Sequence, residues 1–143
     1  MATRRDVLRV GAAGSILPLS GLAWAARAAA PLNIRRAVYD DRFAEGLSFA
    51  REAEAKGWPL RAISGDVTDL WFHDLDLLWT QGPAPVAGLT ARNSLFCLER
   101  LAWDAGLRVV LREEIAGAPL VAWLIAPKVR ARKVRAPKVR AQA

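Results

Sequence analysis

The sequence predicts a small α/β domain with three layers, in which a mostly parallel sheet carries helices on both faces and ends in a C-terminal antiparallel hairpin. Three observations predict this class. Short apolar runs alternate with longer segments of helical periodicity. Those longer segments place their apolar residues on one face. The last two apolar runs follow each other with only a glycine-containing loop between them.

The first elements are a strand, a helix and a second strand. An apolar run predicts the first strand over residues 34–39. The polar Asp41 suits an N-cap, and helical spacing of apolar residues continues to about Lys56, just before a glycine. Residues 59–63 form the next apolar run. A strand–helix–strand order of this kind favours parallel neighbours joined by a crossover.

The middle of the domain is more ambiguous. Asp66 is the expected cap of a helix over residues 67–79, although part of this segment also alternates as a strand would. Residues 81–85 contain Gly and Pro and predict a loop, and residues 86–89 predict the third strand. We expect a helical connection between the second and third strands.

The end of the domain combines one helix with a hairpin. Leucines at helical spacing predict a helix over about 94–105, with a glycine just beyond it. Residues 107–112 and 120–125 predict two strands, joined by a loop over 113–119. The hairpin is expected to add an antiparallel edge strand to the sheet.

The beginning of the chain carries an export signal. Thr3, Arg4, Arg5, Leu8 and Arg9 precede a mildly apolar run. This stretch resembles the bacterial twin-arginine (Tat) signal peptide, whose usual pattern is Ser/Thr-Arg-Arg-x-Phe-Leu-Lys. The resemblance covers residues 1–30. It implies recognition of Arg4, Arg5 and Leu8 by the Tat translocase, export of a folded chain, and a periplasmic location.

The rest of the export segment suits cleavage better than a membrane anchor. Residues 10–26 contain Gly, Ser and Pro, which make a poor membrane span. Small residues at alternate positions predict cleavage after Ala28 or Ala30, with Ala28 favoured because Pro31 follows Ala30. Two alternatives for residues 1–30 remain open: a basic amphipathic start with no export role, and an uncleaved signal that keeps the protein at the membrane.

Charge divides the remaining chain into two parts. Residues 31–127, the expected single α/β domain, hold ten bases and thirteen acids and show no basic face for nucleic acid. Residues 128–143 hold seven bases and no acid, in a five-residue repeat that fits neither helix nor strand. We expect this basic segment to be disordered. It predicts weak contact with anionic surfaces, and the alternative is a repeat expansion with no role.

Polar side chains follow the three strands that are expected to be parallel. In open α/β sheets, ligands bind beyond the carboxyl ends of the strands, so these side chains should meet at one rim. An anionic or carbonyl-bearing ligand would suit that rim, where helix N-termini lie. The alternative is that these residue types only cap helices. The candidate ligand-binding residues are Asp40, Asp66, Thr68, Thr90, Arg92 and Ser94.

Other reactive or aromatic side chains support fewer hypotheses. Cys97 lies among apolar residues and is expected to be a buried structural thiol. His73 and Asp76 are three residues apart, but no second histidine completes a metal site, and no cofactor motif is present. The tryptophans are expected to fill the core; the alternative is an aromatic pocket wall around Trp71, Phe72 and Trp79.

These features together predict an exported, non-catalytic protein. The twin-arginine resemblance and the lack of a recognisable catalytic set favour a ligand-binding role, or an accessory or assembly subunit of an exported redox enzyme. Neither a cofactor nor catalytic residues are predicted. The rival hypotheses are a small periplasmic enzyme that uses the carboxylates at the strand ends, and a structural protein associated with the cell surface or membrane.

Overall fold

A computed structural model describes residues 33–128. The predicted export segment and residues 129–143 of the basic segment lie outside the described residues. The predicted export residues outside this range are Arg4, Arg5, Leu8, Ala28 and Ala30. Between residues 33 and 128, no helix is long and apolar enough to cross a membrane.

Five strands form one sheet in the order β2-β1-β3-β5-β4. All the predicted strands are present, with bounds shifted by one or two residues. The strands are β1 (Arg36–Asp40), β2 (Leu60–Ile63), β3 (Val86–Thr90), β4 (Leu107–Glu114) and β5 (Val121–Pro127).

The helical elements lie in the three connections that precede β2, β3 and β4. The segment predicted as a helix over 67–79 is helical, but its middle is a π-helical turn, which we call π1. The elements are α1 (Ala44–Ala55), α2 (Thr68–Leu70), π1 (Trp71–Leu75), α3 (Asp76–Thr80) and α4 (Arg92–Asp104).

The sheet is mixed, so the prediction of a mostly parallel sheet is not confirmed. β1 pairs in parallel with β2 and β3, whereas β5 runs antiparallel to both β3 and β4. The C-terminal hairpin is present, but its last strand lies inside the sheet and β4 forms the edge. The burial patterns explain this order: β5 is buried on both faces, as an interior strand requires, whereas β4 alternates between exposed residues and residues that are mostly half-buried.

Two apolar clusters pack against opposite faces of the sheet. Along β5, Val121 and Trp123 belong to one cluster, while Ala122 and Leu124 belong to the other. Because successive side chains of a strand point to opposite faces, this alternation separates the two clusters. The first contains residues of α2, π1, α3 and α4, and the second contains residues of α1.

Two helices begin at residues other than those predicted. α1 starts at Ala44, after the N-cap Phe43, and Asp41 instead accepts a hydrogen bond from the Ser64 hydroxyl at 2.7 Å. A side-chain hydrogen bond from the Arg42 backbone N–H to Asp40 shapes the turn after β1 and delays the helix. α4 starts earlier than predicted, at Arg92.

Candidate functional site

The rim predicted from the sequence begins with Asp40, a fully buried carboxylate at the end of β1. It accepts hydrogen bonds from Arg42 Nε at 2.9 Å, from Arg42 Nη2 at 2.7 Å and from the Arg42 backbone N–H at 3.1 Å. Burial tends to raise the pKa of Asp40, but these bonds and the charge of Arg42 outweigh it and leave the pKa below its ordinary value. Asp40 is therefore a paired carboxylate near neutral pH and does not serve as a proton donor there.

A separate hydrogen bond joins Ser94, in the first turn of α4, to Gly65, which follows β2. The Ser94 hydroxyl, almost fully buried, donates to the Gly65 carbonyl oxygen at 2.8 Å. Gly65 has a φ of +92° and leaves room for the Arg42 guanidinium, which a Cβ at this position would meet. Because the Arg42 guanidinium lies against Gly65, the Asp40–Arg42 pair and the Ser94–Gly65 bond are neighbours, and the ends of β1 and β2 lie beside the first turn of α4.

Thr90 faces the interior of the domain. Its hydroxyl oxygen accepts a hydrogen bond from Trp123 Nε1 at 2.9 Å, and the hydroxyl donates to the Ala91 carbonyl at 3.2 Å. Both Thr90 and Trp123 are buried. The Thr90 hydroxyl therefore satisfies the indole N–H of a core tryptophan, as a buried donor requires.

The other three predicted residues are exposed and pair locally. Asp66 Oδ1 accepts hydrogen bonds from the Thr68 hydroxyl at 2.6 Å and from the Thr68 backbone N–H at 2.8 Å. The hydroxyl bond, followed by the backbone bond, lowers the pKa of Asp66. Arg92 forms an exposed ion pair with Glu114 at the end of β4.

β1, β2 and β3 are parallel neighbours, so their carboxyl ends lie at the same end of the sheet, but the polar side chains there bond within the domain. Asp40 pairs with Arg42, and Ser94 bonds to the Gly65 carbonyl. Asp66 pairs with Thr68, Thr90 bonds to Trp123, and Arg92 pairs with Glu114. Across residues 33–128, no buried side-chain nitrogen or oxygen lacks a hydrogen-bond partner, and no group of three potential ligands could hold a metal ion. A ligand-binding role for the six residues stays a prediction.

A different feature is open to solvent: a cavity of about 360 Å³ between π1 and α4, here called the aromatic cleft. Its aromatic side chains are unusually accessible, with Phe72 68% exposed and Phe96 62% exposed. Exposed apolar side chains that lie together, as these do, often mark an interaction surface. The cleft is lined by Val67, Thr68, Trp71, Phe72, Phe96, Cys97, Arg100 and Leu101.

Local geometry explains why these residues line a cleft. On α4, the inward positions are taken by Leu95, Leu98 and Ala102, which are buried. Phe96 and Arg100 are four residues apart and lie together on a neighbouring strip of the helix surface. Across the cleft, the wider π-helical turn changes the angular spacing of its side chains, which leaves Phe72 exposed while Leu75 is buried.

An ion-pair network fastens π1 to the sheet. Asp74 accepts hydrogen bonds from Arg36 Nε at 2.8 Å, from Arg36 Nη2 at 2.9 Å and from Arg61 Nε at 2.9 Å. Arg36 lies in β1 and Arg61 in β2, and the Arg36 contact is bidentate. This network holds one wall of the cleft in place.

The expectation that Cys97 is a buried thiol is wrong. Cys97 is exposed and lies in the wall of the aromatic cleft. Its apolar neighbours in sequence misled the prediction, because Leu95 and Leu98 occupy the buried face of α4 and Cys97 lies one step off that face.

Arg100 gives the cleft its only positive charge among the lining residues. Its guanidinium lies 4.5 Å from the ring centroid of Trp103, a cation–π contact. Within the described part of the chain, no carboxylate pairs with Arg100. The cleft is thus an apolar surface with one uncompensated cation at its edge.

The sequence contained a signal for part of this site. The alternative of an aromatic pocket wall named Trp71, Phe72 and Trp79; Trp71 and Phe72 line the cleft, and Trp79 lines a neighbouring cavity with Trp71. Phe96 and Arg100 were missed. Their four-residue spacing beside the leucine face is a second amphipathic stripe that could have identified them.

Comparisons of the chain with protein-family models, with curated proteins and with solved structures found no match.

Proposed function

We propose that this chain is exported in folded form through the twin-arginine route and acts in the periplasm as a non-catalytic binding protein with three-layer α/β architecture. The aromatic cleft is its binding surface. The observation that carries this proposal is an open apolar cavity edged by Arg100, which has no carboxylate partner within residues 33–128, while the polar side chains at the strand ends bond within the domain.

The lining of the cleft defines the chemistry of the ligand. Trp71, Phe72 and Phe96 offer aromatic faces, and Arg100 offers a guanidinium without a carboxylate partner. A volume of about 360 Å³ lies within the range of small-molecule pockets, and such pockets combine apolar walls with a few polar groups that orient the ligand. The ligand is therefore a small aromatic or apolar compound that carries a negative charge.

The proposed role is that of an accessory protein of an exported enzyme. Such a protein holds a small compound, or presents it to a partner, without changing it. The rival enzyme hypothesis would require Arg42 to release Asp40, the one fully buried carboxylate of the rim. The rival surface-associated protein would depend on the basic segment 128–143 instead of the cleft.

A fluorescent aromatic anion, 1-anilinonaphthalene-8-sulfonate, tests the cleft directly. We expect Phe96→Ala to weaken probe binding by roughly tenfold, because it removes an aromatic contact of about 1.5 kcal/mol. Arg100→Gln should weaken binding by about threefold to tenfold, because it removes the charge complement. Fluorescence titration of each folded variant provides the dissociation constant.

Leu47→Ala is the matched control for these variants. Leu47 is also an exposed apolar side chain, but it lies on α1, which packs on the opposite face of the sheet. Its truncation should leave probe binding unchanged. Equal binding by the wild type, Phe96→Ala and Arg100→Gln would show that the probe does not use the cleft and would remove the proposal.

The export part of the proposal has its own test. Replacing Arg4 and Arg5 together by lysine should keep the protein in the cytoplasm, as judged by cell fractionation, if a Tat translocase reads the pair. Arg9→Lys is the control, because lysine is the usual residue of the motif at that position. Normal appearance of the double variant in the periplasm would contradict export by this route.

A further inference from the structure

The outward side of α4 carries aromatic and cationic residues on one stripe. Phe96, Arg100 and Trp103 follow one another at intervals of four and three residues, so they share one strip of the helix surface. Phe96 is 62% exposed and Trp103 is 42% exposed, so both rings project into solvent. A surface helix normally turns polar residues outward and keeps its apolar residues for the core. The stripe is therefore a candidate interaction surface.

Two arginines stack on the indole of Trp103. The guanidinium carbon of Arg100 lies 4.5 Å from the ring centroid, and that of Arg108, at the start of β4, lies 5.5 Å from it. Within residues 33–128, neither arginine forms an ion pair with a carboxylate. Both guanidiniums are thus held against an exposed aromatic ring with their charge available to a partner.

Most other arginines between residues 33 and 128 are neutralised by acids. Those that pair with carboxylates are Arg36, Arg42, Arg61, Arg92 and Arg112. The acids of α4 do not compensate its stripe, because Glu99 pairs with Arg112 and Asp104 lines the cavity next to the aromatic cleft. Residues 31–127 as a whole hold more acids than bases. An uncompensated pair of cations therefore coincides with exposed aromatic rings in a domain of negative net charge.

We propose that this surface docks on an anionic lipid bilayer. The surface, here called the α4 face, consists of Phe72, Phe96, Arg100, Trp103 and Arg108. Phe72 belongs to it because it lines the aromatic cleft together with Phe96 and is 68% exposed. Aromatic rings of this kind lie at the level of the lipid headgroups, where arginine stems cover apolar surface and the guanidiniums reach phosphates.

A bilayer fits the α4 face better than an acidic protein does. Aromatic anchors of protein interfaces are buried in pockets of complementary shape, whereas a bilayer has no fixed shape and accepts any projecting ring. Lipid phosphates are also available at every position, so the two arginines need no partner of fixed geometry. This inference goes beyond the proposed function, because it concerns the surface around the aromatic cleft and a partner other than the small ligand.

Cys97 provides a natural reporter of the docking. It is the only cysteine of the chain, it is exposed, and it follows Phe96 in the wall of the aromatic cleft. The full-length protein, with a nitroxide spin label on Cys97, is mixed with vesicles of equal parts phosphatidylglycerol and phosphatidylcholine. We expect the accessibility of the label to oxygen, relative to a water-soluble nickel chelate, to rise several-fold. The docked face places the label at the boundary of headgroups and acyl chains, from which the chelate is excluded.

The position of the label separates docking of the α4 face from attraction by the basic segment. Residues 128–143 hold seven bases and can attract the protein to anionic vesicles, but attachment through them alone would leave the Cys97 label in water. A label on the variant Leu47→Cys/Cys97→Ser provides the reference. Leu47 is exposed on α1, on the opposite face of the sheet, so its label should stay accessible to the chelate on bound vesicles.

The variant Trp103→Ala/Arg108→Gln tests the α4 face without changing a residue that lines the aromatic cleft. It should lower the partition coefficient of the form with an immersed Cys97 label about tenfold, because an interfacial indole and one cation are lost. Arg108→Gln alone, at an exposed position, should lower it about threefold to fivefold. The matched control is Leu47→Ala/Arg51→Gln, which removes an exposed apolar side chain and an exposed arginine from α1 and should change nothing.

Three results would overturn the proposal. A Cys97 label that stays in water, whether or not the protein binds the vesicles, would show that the α4 face does not meet lipid. Equal immersion on vesicles of phosphatidylcholine alone would show that the arginines have no anionic partner there. Release of the label into water by added polyglutamate would assign the face to an acidic protein instead. Arg108→Gln should leave binding of 1-anilinonaphthalene-8-sulfonate unchanged, so the docking and the proposed function can fail separately.

Discussion

At the residue scale, Asp40 shows how one side chain can look like a site in the sequence and serve the fold in the structure. It has the position of a rim ligand, at the end of β1, yet it is fully buried and accepts three hydrogen bonds from Arg42. The sequence could place Asp40 at the rim because strand ends are readable from apolar runs. It could not show the pairing, because Arg42 on a turn has many conformations available to it.

The Asp40–Arg42 ion pair predicts how the free energy of unfolding depends on pH. Asp40→Asn should lower the free energy of unfolding at pH 7 by ~1–2 kcal/mol, a modest figure because water screens the half-exposed Arg42. The folded-state pKa of Asp40 is below its ordinary value of 3.8, so its contribution is present above that value and is lost as the pH falls through the folded-state pKa. Urea unfolding at several pH values measures the difference from wild type.

Asp41→Asn is the control for that series. Asp41 is exposed and makes a single hydrogen bond to Ser64, so its variant should change stability little across the same pH range. A penalty for Asp40→Asn that stays constant down to strongly acid pH would contradict the role assigned to the ionised pair.

For Glu52 we expect the opposite dependence of stability on pH. Burial raises the pKa of this carboxyl on α1, and Lys56 opposes the shift only in part. A raised folded-state pKa means that ionisation of Glu52 weakens the fold as the pH rises through that pKa. Glu52→Gln should therefore be more stable than the wild type at pH 7, and the gain should disappear in acid; a loss of stability at pH 7 in urea unfolding would refute this account.

Gly88 is the third informative residue. A Cβ at this position in β3 would overlap the indole of Trp123, whose ring is buried and bonded to Thr90. Gly88→Ala should lower the free energy of unfolding by ~1–3 kcal/mol, the usual range for an overpacked core. Gly117→Ala tests a glycine where a Cβ would meet no atom but φ is +80°; its smaller loss would reflect backbone strain alone.

At the scale of single elements, the helical segment after β2 differs most from its sequence pattern. The apolar residues of 67–79 fit a helix face, and residues 68–80 are helical, but a π-helical turn over Trp71–Leu75 interrupts them. Periodicity could predict the helix. It could not predict the π turn, because Asp74 of this turn pairs with Arg36 and Arg61, which lie in two strands distant from it in sequence.

Release of Asp74 should loosen this element while the rest of the fold persists. Asp74→Asn keeps the size of the side chain but removes the charge that holds two arginines, and we expect amide hydrogen exchange of residues 71–75 to become several-fold faster. Asp69→Asn, an exposed acid on α2, is the control. Unchanged exchange over residues 71–75 would show that packing alone holds π1 in place.

At the scale of the whole molecule, the sequence identifies the strands better than their order. The apolar run of β5 and the alternation of β4 are both readable, and they predict the hairpin. The attachment of the hairpin to β3 through β5 was not predicted, although the uninterrupted apolar run of β5 and the charged residues of β4 favour β5 as the interior strand. The sheet is mixed because β5 joins β3 in the antiparallel direction.

The strand order predicts the pattern of amide protection. β5 is hydrogen-bonded on both sides and buried on both faces, whereas β4 has alternating exposure and one edge that pairs with no other strand of residues 33–128. Amides of 121–126 should exchange only through global unfolding, and those of β4 that face the free edge should exchange faster. Mass-spectrometric exchange data with equal protection along both strands would contradict this order.

The position of β5 also affects how the chain folds during its synthesis. Ribosomes add about 5–20 residues per second from the N-terminus, so β3 and β4 are made before the strand that lies between them. Until residues 121–127 emerge, the nascent chain exposes an apolar strand edge, which can pair with other chains. The sheet can therefore be completed only late in translation. A premature stop before β5 should yield fragments that aggregate instead of staying soluble.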